Sequence, residues 1–255
     1  MNLNISFNIE GAGEPIIFIH GIGSRKNTWD GVIEELKNKY QCITYDLRGH
    51  GESMVDESNF TLEELVEDLE NLRSSLNIEK THIVGHSLGG MIGPLYTKKY
   101  QNNVLSLSLL STAAFRNLDD QKKILDIISK IENEGLDTVL PNLINRWFTD
   151  KFINNNQNII NNRLQQVQDT PLKTFLNVFR LYAITEMSSW LKEIIIPCLV
   201  MTGENDVGCN PNINKQIADV LPNSKLEILK NLKHTITLEA PILVSQKIRM
   251  FIDNL

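Results

Sequence analysis

Short apolar runs alternate with helix-like stretches in this chain, and the alternation restricts the fold more than any other feature of the sequence. In the first 112 residues the apolar runs occupy 15–21, 42–51, 81–86 and 104–112, and the helix-like stretches occupy 28–38 and 61–76. The second of these stretches has leucines at helical spacing, and Thr61 with Glu64 predicts a capping box at its start. Strands that alternate with helices form βαβ units, so we expect a mostly parallel sheet with helices on both faces.

The pattern changes between residues 113 and 190, where four helix-like segments follow one another without a strand. The alternation then resumes with a strand at 196–203, a helix near Pro211, a strand at 225–230 and a final helix. This organisation predicts an α/β core in two parts, with a helical lid inserted between them. The predicted boundaries are 1–112 and 191–255 for the core and 113–190 for the lid.

The chain begins with alternating apolar and polar residues, which place Leu3, Ile5, Phe7 and Ile9 on one face. We interpret this stretch as a half-buried strand and not as a signal peptide. No apolar run approaches the roughly 20 residues that span a bilayer. The net charge of −6 argues against binding to nucleic acid or to an anionic membrane surface.

Three cysteines, Cys42, Cys198 and Cys209, cannot form a complete set of disulfides. They include no Cys-x-x-Cys pair and no Cys/His cluster with the spacing of metal ligands. We therefore predict a cytoplasmic protein with neither a metal site nor a cofactor, whose partner is a small molecule. The sequence leaves the oligomeric state undetermined.

A serine flanked by glycines follows the strand-like run at 81–86, and a helix-like segment begins directly after it. At so sharp a turn the serine is forced to a positive φ, which is costly for a residue with a Cβ. Gly85 and Gly89 remove the side chains that would collide across the turn. The Oγ of Ser87 then lies at a helix N-terminus, where backbone N–H groups favour negative charge. Ser87 is therefore a candidate nucleophile, and the alternative is a serine that only caps the helix.

A serine hydroxyl is a weak nucleophile, so it needs a histidine base that a carboxylate orients. His234 follows the last strand and precedes the last helix, from where it can reach over the sheet edge. The acid should lie between the serine and the histidine in chain order. Asp206 is our candidate and Glu204 is its near rival. The structural alternative for Asp206 is a cap of the helix near Pro211.

The tetrahedral intermediate of acyl transfer needs two N–H donors. We assign one to the amide of Leu88, directly after Ser87, and the other to the amide of Ile22, in the loop after the first buried strand. His20 is interpreted as a residue that shapes this loop. His86 is adjacent to the serine and is predicted to point away from it.

Five segments resemble the α/β-hydrolase superfamily in their order and over essentially the whole chain, namely FIHGIG, YDLRGHGES, GHSLGG, MTGENDVGCNP and LKHTITLEAP. The resemblance implies an eight-stranded sheet, a helical lid and a triad at Ser87, Asp206 and His234. It also implies that DLRGHGES is chiefly a structural turn. Because the chain starts late relative to this pattern, we expect the first edge strand to be short or absent.

Within the superfamily, the lid is most similar to that of 3-oxoadipate enol-lactonase-like enzymes, through NRWFTDKF at 145–152 and a Thr-Pro-initiated helix after it. The His-Gly-Ile-Gly loop is closer to general esterases and cofactor-free haloperoxidases. Pro94 also departs from the pattern, because it removes a donor within the helix after the serine and predicts a kink there. The lactonase resemblance implies an anionic substrate, whose carboxylate would pair with Arg146 or Arg163, and Trp147 is a further candidate for substrate binding. The alternative for each is an ordinary lid residue.

Together these features predict a serine hydrolase that cleaves a small carboxylic ester or lactone through an acyl-enzyme. Hydrolysis of a carbon–carbon bond in a dienoate, or haloperoxidase-like perhydrolysis, is an alternative with the same residues. A ligand-binding protein that keeps the fold without turnover is the alternative of a different class.

Overall fold

The computed structural model describes residues 5–53 and 59–255. Seven strands lie within these residues: β1 Phe7–Glu10, β2 Glu14–Ile19, β3 Tyr40–Tyr45, β4 Thr81–His86, β5 Val104–Leu110, β6 Cys198–Gly203 and β7 Ser224–Leu229. The helices are α1 Asp30–Leu36, α2 Leu62–Ser75, α3 Gly89–Lys99, α4 Leu118–Glu134, α5 Leu140–Trp147, α6 Asp150–Asn155, α7 Gln157–Asp169, α8 Leu172–Ile184, α9 Pro211–Val220, α10 Ile236–Glu239 and α11 Pro241–Ile252.

The strands form one sheet in the order β1-β3-β2-β4-β5-β6-β7. Every neighbouring pair is parallel except β1 with β3, which is antiparallel. The prediction of a mostly parallel sheet is therefore confirmed. Because parallel strands point the same way, the residues that follow β2, β4, β5, β6 and β7 collect at one edge of the sheet.

The edge of the sheet differs from the expectation of eight strands, because the described residues form seven. Only Ile5 and Ser6 precede β1 in the described part of the chain, which is too short for a further strand. Phe7 and Ile9 are 40% and 41% exposed on this edge strand, so they border the core without entering it. Leu3, assigned to the same face, lies outside the described residues.

The two faces of the sheet carry two separate apolar clusters. Alternate residues of β2 divide between them: Ile17 and Ile19 belong to one cluster, whereas Ile16 and Phe18 belong to the other. This division follows from the alternation of side chains along a strand that is buried on both faces. The sheet is thus a rigid support for the loops at its edge.

Two local predictions concern the helices that cover the sheet. Helix α2 begins with the predicted capping box, in which Thr61 and Glu64 each accept a backbone N–H of the other. Helix α3 runs through Pro94 to Lys99. Proline has no N–H to donate to the preceding turn, yet the buried ring is accommodated without ending the helix.

Helices α4 to α8 follow one another between β5 and β6. They pack around apolar clusters of their own, one centred on Val167 and Phe175 and the other on Phe148. The assignment of residues 113–190 to a separate lid stays a prediction. Among the residues that the structure describes, no helix is long and apolar enough to cross a membrane.

Candidate active site

Ser87 occupies the sharp turn between β4 and α3 with a φ of +55°. A Cβ on Gly85 would lie 2.1 Å from the carbonyl oxygen of Gly89, and one on Gly89 would lie 2.1 Å from that of Ile19. Neither position can carry a side chain, because real Cβ atoms do not approach a backbone oxygen so closely. The Ser87 N–H donates to the carbonyl of Leu110 at 2.9 Å, which ties the turn to the end of β5.

His234 and Asp206 lie side by side, in the loops that follow β7 and β6. The Nδ1 of His234 is 2.7 Å from Oδ2 of Asp206. The other carboxylate oxygen, Oδ1, accepts the N–H groups of Gly208 and Cys209 at 2.9 Å each. Asp206 therefore fixes the orientation of the imidazole and is itself fixed by the backbone.

The rival acid, Glu204, is elsewhere. Its side chain is exposed and accepts the N–H of Asn231 at 3.1 Å. Of the two carboxylates considered from the sequence, Asp206 is the one that contacts the histidine.

The charges of the pair stabilise each other. Burial raises the pKa of the Asp206 carboxyl, but His234 and the two backbone donors outweigh it and hold the pKa below its usual range. Burial lowers the pKa of His234, and the Asp206 carboxylate outweighs it, so the net direction is upward. The histidine is therefore a stronger base than a free imidazole.

The backbone of His234 is held by two buried side chains. Its carbonyl oxygen accepts Nε2–H of His86 at 3.0 Å and Oγ–H of Ser111 at 2.9 Å. Burial lowers the pKa of His86 to about 3, so this ring is neutral. His86 thus supports the loop of His234, in keeping with the expectation that it does not serve Ser87 as a base.

The loop after β2 approaches Ser87 closely, because a Cβ on Gly21 would lie 3.1 Å from the Cβ of Ser87. The N–H of Gly23 donates to Nε2 of His50 at 3.1 Å. The amides of Ile22 and Leu88 donate to no acceptor within the described ranges 5–53 and 59–255. These two N–H groups are the ones assigned to the oxyanion from the sequence.

The histidines near this loop hold it in shape. His20 contacts the carbonyl of Gly21 through Nδ1 at 2.8 Å and accepts the N–H of Leu47 through Nε2 at 3.0 Å. Burial lowers the pKa of His20 to about 3 and that of His50 to about 4. Both rings are therefore neutral hydrogen-bonding groups, which agrees with the interpretation of His20 as a loop-shaping residue.

The DLRGHGES segment is tied to its surroundings at several points. Asp46 accepts Nζ–H of Lys26 and the N–H of Glu52. Arg48 forms a buried ion pair with Asp68 at 2.8 Å. These contacts fit the interpretation of the segment as a structural turn.

A cavity of about 550 Å³ lies over the sheet edge and contains Ser87. Its lining residues from the loops at the sheet edge, which we call the sheet wall, include Gly21, Ile22, Ser87, Asp206 and His234. Its lining residues from helices α4 to α8, which we call the helical wall, include Leu143, Arg146, Trp147, Arg163, Phe175 and Tyr182. A space of this size and mixed polarity suits a small organic molecule.

The three residues named from the sequence as candidates for substrate binding lie in the helical wall with different surroundings. Arg146 is exposed and Trp147 is partly buried. Arg163 is buried, and its guanidinium donates to the carbonyls of Ile22 and Gly23 and lies 4.7 Å over the Trp147 ring. Burial lowers the pKa of Arg163 to about 9. Its donors are thus engaged by the loop that carries the Ile22 amide.

Arg116 and Tyr182 are among the cavity residues that sequence reasoning missed. Arg116 follows β5 and therefore lies at the same sheet edge as Ser87, and this position was the available signal. Tyr182 belongs to α8 and contacts Sγ of Cys209 through its hydroxyl at 3.4 Å. Only the packing of the helices brings that tyrosine to the site.

One group of possible metal ligands is present among the described residues, although the spacing of the cysteines predicted none. Ligand atoms of Asp206, Cys209 and His234 all lie within 4.8 Å of one another. The Asp206 oxygens already accept N–H groups of His234, Gly208 and Cys209. The arrangement is thus complete as a hydrogen-bonded acid–base pair, and we assign it no metal.

Comparison with known proteins agrees with the fold. A family model described as the alpha/beta hydrolase fold matches residues 14–241. The 3-oxoadipate enol-lactonase 1 of Acinetobacter baylyi is 33% identical over 205 residues, which cover 80% of this chain and 76% of that protein.

Solved structures with low sequence identity share the same architecture. A thermophilic esterase from Thermogutta terrifontis superimposes with a TM-score of 0.91 at 24% identity, covering 99% of this chain and 94% of that one. An enol-lactonase from Burkholderia xenovorans LB400 gives 0.91 at 19% identity, with 98% and 97% covered. Because the family model matches residues 14–241, which are most of this chain, the chain belongs to the α/β-hydrolase family.

Proposed function

We propose that this protein is a serine hydrolase that cleaves a small carboxylic ester or lactone through an acyl-enzyme. The observation that carries the proposal is the strained φ of +55° at Ser87, in a cavity that also contains the hydrogen-bonded pair of His234 and Asp206. Backbone strain of this kind costs about 1–3 kcal/mol and persists where the surrounding structure requires it.

In the proposed reaction, Oγ of Ser87 attacks the substrate carbonyl while Nε2 of His234 takes the hydroxyl proton. The carbonyl oxygen becomes an oxyanion, which the N–H groups of Ile22 and Leu88 stabilise. The intermediate collapses as the carbon–oxygen bond breaks, and His234 returns the proton to the leaving oxygen.

Water then attacks the acyl-enzyme with His234 again acting as the base, and the acid product leaves. In a lactone the leaving oxygen stays attached to the acyl chain, so one ring-opened product is released. Throughout the cycle Asp206 keeps Nδ1 protonated and stabilises the imidazolium.

The substrate class rests on similarity and on the size of the cavity. The similar proteins described above include an esterase and two enol-lactonases, all of which act on a carbonyl bonded to oxygen. The cavity of about 550 Å³ suits a small substrate. We place the protein in the cytoplasm, as the cysteine content predicts.

Hydrolysis of p-nitrophenyl acetate and butyrate, of an enol-lactone and of a dienoate separates the possible activities. We expect turnover of the esters and the lactone by the wild-type chain and its loss in Ser87→Ala, with unchanged thermal unfolding. Lys80→Met, which removes an exposed charge directly before β4, at the end of that strand opposite to Ser87, is the matched control and should retain activity.

Other outcomes have definite meanings. Turnover of the dienoate alone would replace ester hydrolysis by carbon–carbon bond hydrolysis. Formation of peracid from acetate and hydrogen peroxide, with no ester turnover, would assign perhydrolysis. A folded protein that turns over none of these substrates but binds one of them would support a ligand-binding protein without turnover.

A further inference from the structure

Arg116 lines the cavity that contains Ser87, and its charged group has few partners. The residue is only 8% exposed. Its Nη2 donates to the carbonyl of Thr185 at 2.6 Å, whereas Nε and Nη1 are buried and have no acceptor among the residues that the structure describes. Burying a donor of a charged group without an acceptor is costly, so such a group is expected to meet a partner.

The backbone around Arg116 is held firmly. The Glu186 carboxylate accepts the N–H groups of Phe115 and Arg116 at 2.9 Å each. Phe115 has a φ of +58°, a conformation that a bulky residue adopts only under constraint. The guanidinium lies 4.6 Å over the Tyr182 ring, which supports it from one side. Its position is thus fixed before any ligand arrives.

The other charged groups of the cavity differ from Arg116. Lys123 is paired with Asp120 at 3.3 Å, and their side chains are 75% and 40% exposed. Arg163 donates to two backbone carbonyls. Within ranges 5–53 and 59–255, Arg116 and Arg163 are the buried arginines of the cavity, and of these two only Arg116 has guanidinium nitrogens without an acceptor.

We propose that Arg116 binds a carboxylate of the substrate and thereby selects anionic esters or lactones over neutral ones. A carboxylate supplies two acceptor oxygens for the unpartnered nitrogens, and charge-assisted hydrogen bonds of this kind are stronger than neutral ones. This inference rests on the proposed function. It assigns the anion to Arg116 in place of Arg146 and Arg163, which the sequence had offered.

Matched substrates test the assignment. The anionic series consists of the p-nitrophenyl hydrogen esters of glutarate, adipate and pimelate, and the neutral series has the same chains with the distal carboxylate methylated. Release of p-nitrophenolate reports the same bond in both series. We expect the wild-type chain to prefer the anionic ester by about 10- to 100-fold in kcat/KM at one or more chain lengths.

Arg116→Met should remove that preference and leave kcat/KM for the neutral esters within about threefold. Arg116→Lys should retain part of it, because lysine keeps the charge but loses the planar donor set. Arg249→Met, an exposed arginine of α11, is the control that should change neither series. In a Ser87→Ala background, the dissociation constant of adipate should rise about tenfold on Arg116→Met.

The results distinguish the two proposals. Failure of the wild type to hydrolyse either series would contradict the proposed function itself. Turnover of both series with no preference at any chain length, or a preference that Arg146→Met removes and Arg116→Met leaves intact, would overturn the role of Arg116. Equal losses of kcat/KM for anionic and neutral esters in Arg116→Met would also overturn it. They would mean that Arg116 only stabilises the end of α8 through the Thr185 carbonyl.

Discussion

The sheet wall and the helical wall of the cavity are held in place by different kinds of interaction. On the sheet wall, the turn at Ser87 and the loop of Ile22 are fixed by backbone contacts and by neutral histidines, and Asp206 holds His234. On the helical wall, the arginines differ in burial and in partners: Arg163 is buried and donates to two backbone carbonyls, whereas Arg146 is exposed.

This difference separates reaction from selection. Groups that must meet a transition state need fixed positions, and a parallel sheet supplies them because its strand ends cannot move independently. Helices that pack mainly on one another can carry different residues facing the cavity without disturbing those positions. We therefore attribute the chemistry to the sheet wall and the choice of substrate to the helical wall with Arg116 beside it.

The largest effect that tests the sheet wall is expected from Asp206→Asn. The amide leaves the geometry similar but favours the wrong tautomer of His234, so kcat should fall by about 10³- to 10⁴-fold with little change in KM in a variant that still folds. Steady-state kinetics measures kcat and KM, and circular dichroism shows whether the variant is folded.

Glu204→Gln is the matched control for this substitution and should keep kcat within about twofold, because that side chain contacts only the Asn231 N–H. A large loss in Glu204→Gln with little loss in Asp206→Asn would move the acid and contradict the described pair.

Arg163→Met tests a contact through which the helical wall supports the sheet wall. The substitution removes the donors to the Ile22 and Gly23 carbonyls, so the Ile22 amide loses its fixed direction. We expect kcat to fall about 10- to 100-fold, with KM changed less, because one oxyanion donor is misplaced. Kinetics with a neutral ester measures the effect.

Arg180→Met, on α8, removes an arginine whose partner is Glu132 on the surface and serves as the control. A rise in KM confined to anionic esters, with kcat unchanged, would instead show that Arg163 binds the substrate. It would contradict the role of Arg163 in holding the loop of Ile22.

Acidification is expected to lower the stability of the folded state. His20, His50 and His86 have folded pKa values of about 3 to 4, below the roughly 6.5 of an unfolded histidine. Above pH 6.5 these histidines are neutral in both the folded and the unfolded chain. As the pH falls below 6.5 they become protonated in the unfolded chain but not in the folded one, so the folded state loses stability.

The free energy of unfolding should therefore decrease between pH 6.5 and pH 4.5, by up to about 1.4 kcal/mol per pH unit for each of the three histidines. Urea denaturation at pH 6.5, 5.5 and 4.5 gives the slope, and His20→Gln should make it shallower. A free energy that stays flat over this range would show that these rings are not buried as neutral groups.

The sequence allowed prediction of the features that follow local rules. The turn at Ser87 was predictable because only glycine fits at positions 85 and 89, where a Cβ would collide with a backbone oxygen. The pairing of Asp206 with His234 followed from strand order, since both loops leave the same edge of a parallel sheet. The resemblance implied eight strands with a first edge strand that is short or absent, and the described residues form seven.

The lining of the cavity was less accessible to sequence reasoning. A lone arginine in an amphipathic helix looks the same whether it faces a substrate, solvent or a backbone carbonyl. Arg163 proved to contact two carbonyls, and Arg116 became visible only through its buried, unpartnered nitrogens. Such roles depend on how helices pack against the sheet, which hydrophobic periodicity does not encode.

The most direct test of the central claim is covalent labelling of Ser87 by a fluorophosphonate. Mass spectrometry of the digested protein should find one phosphonyl group per chain, on the peptide that contains Ser87. The labelling rate should fall by at least about 100-fold in His234→Ala, because the hydroxyl then lacks its base. A folded wild-type chain that stays unlabelled, or one labelled on a different residue, would contradict the account.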